Sequence, residues 1–188
     1  MILVDWQIKQ AYFNQEIDID PFDVELINPS SMDIRLGNMF TKIEPSYTYI
    51  TELSNWKSFY IIDPMDRTTF KNNTQKYQYY ELLPGETVLA SMYETLSLGQ
   101  SLSARVLGKS SLARLGLDNS SPAGWIDPGW KGNITLELTN VAKYAIKLTP
   151  GMKIGQLVFY KHERVSKSYQ QTGRYYDQIA GMGSLGVD

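Results

Sequence analysis

Ala123-Gly-Trp-Ile-Asp-Pro-Gly-Trp-Lys-Gly-Asn-Ile-Thr-Leu-Glu-Leu138 decides how the rest of the chain is read. Its second half alternates with the period of a β-strand. Ile134, Leu136 and Leu138 share one face, while Thr135 and Glu137 share the other. Its first half carries two turn signals, Pro128-Gly129 and Lys131-Gly132. The same pattern recurs in both directions. Short apolar runs stand at 31–36, 87–92, 103–107, 145–148 and 156–160, broken by Asn28-Pro29, Pro84-Gly85 and Pro150-Gly151. Many short strands with closely spaced turns define an all-β sandwich or barrel.

Three stretches depart from this pattern. Residues 5–15 are expected to form a short N-terminal helix, capped by Asp5, with Trp6, Ile8, Ala11, Tyr12 and Phe13 on an apolar stripe. Residues 62–80 are polar and Tyr-rich and read as an insertion or long loop. Residues 166–188 carry Gly173, Gly181, Gly183 and Gly186 among tyrosines and read as a mobile tail on one domain spanning 1–188.

Composition removes several kinds of chemistry. There are 188 residues with 43% hydrophobic content, enough for a core, and a net charge of −2. That balance argues against a duplex nucleic-acid surface, which needs a basic face. The chain has no cysteine and one histidine, His162. Disulfides and thiolate metal sites are excluded, and a catalytic zinc with three His or Cys ligands cannot be built within one chain. His162 sits among Lys161, Glu163 and Arg164 and reads as a surface residue. The N-terminus lacks a basic region followed by an apolar run, and no apolar stretch has membrane-spanning length, so a cytoplasmic protein with no membrane partner is expected.

The remaining chemistry rests on carboxylates, hydroxyls, cations and amides. Lys109, Ser110, Ser111 and Arg114 follow Gly108 and supply cations and donors suited to phosphate oxygens; they also suit an ordinary polar turn. Asp127 precedes a Pro-Gly turn, and Glu137 follows ten residues later. This spacing suits a hairpin that brings both carboxylates to one pocket, where burial raises a Glu pKa toward neutrality; a turn cap and a solvated strand face remain the alternative. Tyr169, Arg174 and Gln178 supply an aromatic, a cation and an amide able to fold over a ligand.

Together these motifs resemble the dCTP deaminase family of the trimeric dUTPase-like superfamily. The resemblance runs through Met1-Ile-Leu-Val-Asp5, Pro29-Ser-Ser-Met-Asp-Ile-Arg-Leu-Gly37 and Leu83-Pro-Gly-Glu-Thr-Val-Leu-Ala90. It continues through Gly108-Lys-Ser-Ser-Leu-Ala-Arg-Leu-Gly116, the 123–138 stretch and Pro150-Gly-Met-Lys-Ile-Gly-Gln-Leu-Val-Phe159. It implies a distorted jelly-roll-type β-barrel, assembled as a homotrimer with sites between subunits and 166–188 as a lid. The implied reaction is zinc-independent deamination of dCTP to dUTP and ammonia.

By the same resemblance Glu137 is the general acid/base and Ser110 holds the water. Lys109, Ser110, Ser111 and Arg114 take the triphosphate, and Asp127 lies by sugar and base. Thr135, Leu136, Gln156, Tyr169, Arg174 and Gln178 complete the nucleotide contacts. Mg2+ is expected on the triphosphate, and dTTP as an inhibitor. Ala123 and Gly124, within Ala123-Gly-Trp-Ile-Asp127, are similar to bifunctional members that also act on dUTP and give dUMP and pyrophosphate. That is the alternative product, with Asp127 and Glu137 serving both steps. A dUTPase or an inert nucleotide-binding trimer stands behind both.

Overall fold

The computed structural model describes residues 1–45, 70–119 and 124–179. Ala123, much of the 62–80 stretch and the last residues of the tail fall outside them.

Helix α1 (Asp5–Phe13) leads into β1 (Ile17–Asp20), a 3-10 turn (Val24–Leu26), β2 (Ile27–Asn28) and the long β3 (Ser31–Pro45). Strands β4 (Phe70–Lys76), β5 (Tyr80–Leu82), β6 (Thr87–Leu98) and β7 (Leu102–Gly108) follow. One turn of helix, α2 (Ser110–Ala113), precedes β8 (Leu117–Asp118), β9 (Trp125–Ile126), β10 (Lys131–Asn140), β11 (Ile146–Leu148) and β12 (Lys153–Lys161). Helix α3 (Tyr169–Thr172) lies in the tail.

The fold is all-β, a curled sheet forming a distorted barrel. Its main path runs β8-β10-β6-β3-β12-β7-β9, and β11 pairs separately with β5. Strand β3 joins the two halves. Its first residues pair with β2 and β12, its later ones with β6 and β4. The changeover lies at Arg35–Leu36, beside a register shift between Lys153 and Gly155 on β12. Such irregularities bend a strand and let one sheet curl.

The alternation read from residues 134–138 is borne out. Ile134, Leu136 and Leu138 are buried in the hydrophobic cluster, with Thr135 and Glu137 half-buried on the opposite face. Each such apolar side chain contributes on the order of 1.5–3 kcal/mol.

Three expectations need correction. The N-terminal helix ends at Phe13, and Asp5 is its first residue rather than its cap; Gln7 Oε1 instead accepts the Val4 N–H at 3.1 Å. Only Ile8 and Ala11 are buried. Trp6 and Phe13 are exposed, and Tyr12 stacks on Phe22 at 3.7 Å between centroids. Within the stretch read as a loop, 70–76 is strand β4, paired with Met39–Pro45 in β3. Its polar residues fit an outer strand, where only one edge needs a ladder partner. His162 is half-buried. Its Nδ1–H donates to Glu163 O at 2.7 Å, and Nε2 shares a hydrogen bond with the Ser103 hydroxyl at 2.9 Å.

Candidate active site

The candidate residues fall into two groups. The first gathers where β3, β12 and the end of β7 meet. Asp33 is 3% exposed and carries two cations: Lys109 Nζ donates to Oδ1 at 2.7 Å and Lys153 Nζ to Oδ2 at 3.1 Å. Asn28 Nδ2 adds a third donor at 3.0 Å. Gln156 is the cross-strand partner of Asp33, and its Oε1 accepts the Ser31 hydroxyl at 2.9 Å. Burial by itself would raise the Asp33 pKa, but the hydrogen bonds from Lys109, Lys153 and Asn28 outweigh it and hold the carboxyl below its ordinary value.

The sign of this effect gives a pH prediction. A carboxyl with a depressed folded pKa contributes stability that is complete above its unfolded value, near 3.8, and is lost as pH falls through the lower folded value. Asp33→Asn is therefore expected to flatten the acid limb of a Tm-against-pH curve. An unchanged acid limb in that scan would refute the assignment.

Lys109 was read from sequence; Asp33, Asn28 and Lys153 were not. The Ser31-Met-Asp-Ile-Arg35 pattern placed Asp33 on a strand, and nothing local tells that its partner is 76 residues away. Ser110, Ser111 and Arg114 lie on α2 and its C-terminal end, all exposed. Among the described residues Arg114 makes no ion pair.

The second group surrounds β10 and the tail. Asp127, Pro128, Gly129 and Trp130 form a tight turn: Trp130 N–H donates to Asp127 O at 3.2 Å, and Gly129 has φ +80°. Pro at the second position and Gly at a third position needing positive φ are the type II signature. The expected hairpin is not formed. Strand β9 pairs with β7 while β10 pairs with β6 and β8, so the turn carries the chain from one sheet edge to another. Asp127 is exposed and its Oδ1 accepts Trp125 Nε1–H at 3.1 Å. Gly124 is buried, its carbonyl accepting Val106 N–H.

The tail docks along the start of β10. Asp177 N–H donates to Lys131 O at 2.8 Å and Asn133 N–H to Gln178 O at 2.9 Å. Gly132 permits this approach: at φ +137°, an added Cβ would lie 2.7 Å from Gln178 O. Gln178 is 7% exposed, and its Nε2 donates to Asn133 O and, at 3.2 Å, to Thr135 Oγ1. Tyr169 packs on Trp130, with ring centroids 5.1 Å apart. Burial pushes the Tyr169 phenol above its ordinary pKa, and the charge of Asp127 adds to this against the opposing Tyr175 N–H. Arg174 is exposed; Leu136, behind Thr135 on β10, is fully buried. Two buried polar atoms in this group, Gln178 Oε1 and Trp130 Nε1, lack a hydrogen-bond partner among the described residues.

A curled all-β barrel with a cation-bearing turn and a tail laid across a carboxylate-bearing strand defines the class of protein. The chain belongs to the dCTP deaminase-like family, whose profile matches residues 2–162. It is 42% identical over 182 residues to "dCTP deaminase, dUMP-forming" of Methanoregula boonei, covering 95% of this chain and 93% of the relative. It is 44% identical over 169 residues to the protein of the same name in Tropheryma whipplei, covering 89% and 82%. In fold it resembles the 2'-deoxycytidine 5'-triphosphate deaminase of Agrobacterium tumefaciens, with TM-score 0.58 and 23% identity, over 84% of this chain and 47% of that one. Among the described residues no helix is long and apolar enough to cross a membrane.

Proposed function

We propose that this chain deaminates dCTP hydrolytically and releases dUMP, pyrophosphate and ammonia. The observation that carries the reading is the family match over 2–162, with Glu137 present on the half-buried polar face of β10. The relatives in Methanoregula boonei and Tropheryma whipplei are both named dUMP-forming. The dUTP product put first in the sequence reading therefore gives way to its alternative, the bifunctional route.

In this reading Glu137 takes a proton from a water held by Ser110 as the water oxygen attacks C4 of cytosine. N3 receives that proton; the carboxylate then takes the remaining proton from the C4 hydroxyl and passes it to the amino group, which leaves as ammonia as the C4 carbonyl forms. A second water then attacks the α-phosphorus and pyrophosphate departs, with Asp127 and Glu137 serving both steps. Two waters are consumed per dCTP. Gln178 Oε1, buried and without a partner among the described residues, suits an exocyclic amino N–H; left unmet, such an atom costs about 1–3 kcal/mol. Lys109, Ser111 and Arg114 take phosphate oxygens, and Thr135, Leu136, Gln156, Tyr169 and Arg174 line the nucleotide.

The two groups of residues complete one site across the contacts of a homotrimer, with 166–188 as its lid. Mg2+ reaches the site on the triphosphate. The donor set fits this, since the buried carboxylate beside Lys109 is already engaged by two ammonium groups and offers phosphate a cationic rather than a metal-ligating neighbourhood.

The test is incubation of dCTP with the protein and Mg2+, followed by anion-exchange chromatography. Equal amounts of dUMP and pyrophosphate, with ammonia and no build-up of dUTP, are expected. Accumulation of dUTP as the end product would restore the single-step reaction, and unconsumed dCTP would end the reading.

A further inference from the structure

Lys153 belongs to no candidate set read from the sequence, yet the fold sets it beside Lys109. The two ammonium groups occupy the two oxygens of one buried carboxylate, Asp33, at 3.1 and 2.7 Å. Their side chains are 50% and 26% exposed, so both present donors to solvent while Asp33 lies beneath them. Two cations on one carboxylate leave a net positive charge. Asn28 and Gln156 extend the cluster with amides.

The placement follows from the strands. Lys153 opens β12 opposite Arg35, and the irregularity between Lys153 and Gly155 separates it in register from Gln156, the partner of Asp33. Lys109 follows the last residue of β7, Gly108, which pairs with Gly155 of the same β12. Two distant segments thus deliver one lysine each to a carboxylate on β3.

We propose that Lys153 is a further phosphate-contacting residue, forming with Lys109 a paired-ammonium cradle for the terminal phosphates of the nucleotide, and that Asp33 is the positioning residue that holds the pair together. The proposal rests on the functional reading above, since Lys109 is its phosphate contact. Two lysines brought side by side repel each other; a carboxylate shared between them removes that cost and leaves each ammonium with donors to spare. A triphosphate oxygen placed on both forms charge-assisted hydrogen bonds, the stronger class.

Inorganic tripolyphosphate is the probe that isolates this cradle, because it carries no base or sugar. Calorimetric titration of the full chain is expected to show binding that weakens about tenfold in Lys153→Met, the scale of one charge-assisted hydrogen bond. Lys153→Arg is expected to keep the affinity within about twofold, since the cation is retained. Lys143→Met, which removes an exposed lysine elsewhere, is expected to leave it unchanged.

In parallel dCTP turnover, Lys153→Met is expected to raise KM about tenfold with kcat within about twofold, the mark of lost uniform binding. A purely structural pin would instead lower Tm and leave tripolyphosphate affinity alone. That result, or no binding of tripolyphosphate by the parent, overturns the proposal. Failure of the parent to consume dCTP while tripolyphosphate still distinguishes Lys153→Met from the parent would overturn the functional reading and leave the cradle standing.

Discussion

Glu137→Gln is expected to cut release of ammonia from dCTP by about 10²–10⁴-fold while nucleotide affinity stays within a few-fold of the parent. The substitution keeps side-chain size and hydrogen-bonding capacity. It removes the charge and, with it, the ability to take a proton from water and hand it on. The position suits the change, because Glu137 lies on the half-buried polar face of β10 while Leu136 and Leu138 fill the core behind it. The measurement is single-turnover ammonia release beside calorimetric titration with dCTP. Turnover above about 1% of the parent would remove Glu137 from the acid/base role, given the usual size of that effect. Lost affinity with an unchanged Tm would make it a binding residue instead.

The largest stability effect is expected at a residue outside the candidate site. Glu94 is 1% exposed, and both its oxygens are engaged: Oε1 accepts Arg35 Nε at 2.6 Å and Oε2 accepts the Arg35 backbone N–H at 3.1 Å. The second bond matters because Arg35 sits where β3 changes partners, and the carboxylate satisfies a main-chain donor at the bend. Arg35 also lies over the Tyr93 ring, 4.8 Å from its centroid, and its side chain is 23% exposed. Glu94→Ala removes the acceptor of a part-buried N–H and of the Arg35 Nε, leaving the guanidinium only Asp23 Oδ2, 3.9 Å from Nη1, as an anionic neighbour.

Breaking a fully buried pair costs about 3–5 kcal/mol; partial hydration of Arg35 lowers this to about 2–3 kcal/mol. For a chain of this length the loss corresponds to a Tm drop on the order of 4–12 °C. Glu94→Gln is expected to lie between, since one amide oxygen replaces two carboxylate oxygens and its NH2 faces donors. Differential scanning calorimetry decides it, and a shift under about 2 °C for Glu94→Ala would show that the bend is held by other contacts.

Residues 134–138 and the Pro128-Gly129 turn determine their own structure, because a two-residue period and a Gly at positive φ are local properties. The all-β class follows from the same signals repeated along the chain. The phosphate-suited turn at 108–114 and the tail residues Tyr169 and Gln178 were likewise visible as chemical types. Tertiary structure decided their company. Asp33 and Lys153 were unremarkable strand residues until β3 and β12 paired, and the β9 segment looked like half of a hairpin until it paired with β7. The polar β4 looked like loop because an outer strand asks little of its side chains. Turn and strand preferences act over a few residues, whereas a salt bridge across 76 residues or a choice of sheet edge depends on where the whole backbone lies, and only the folded chain holds that information.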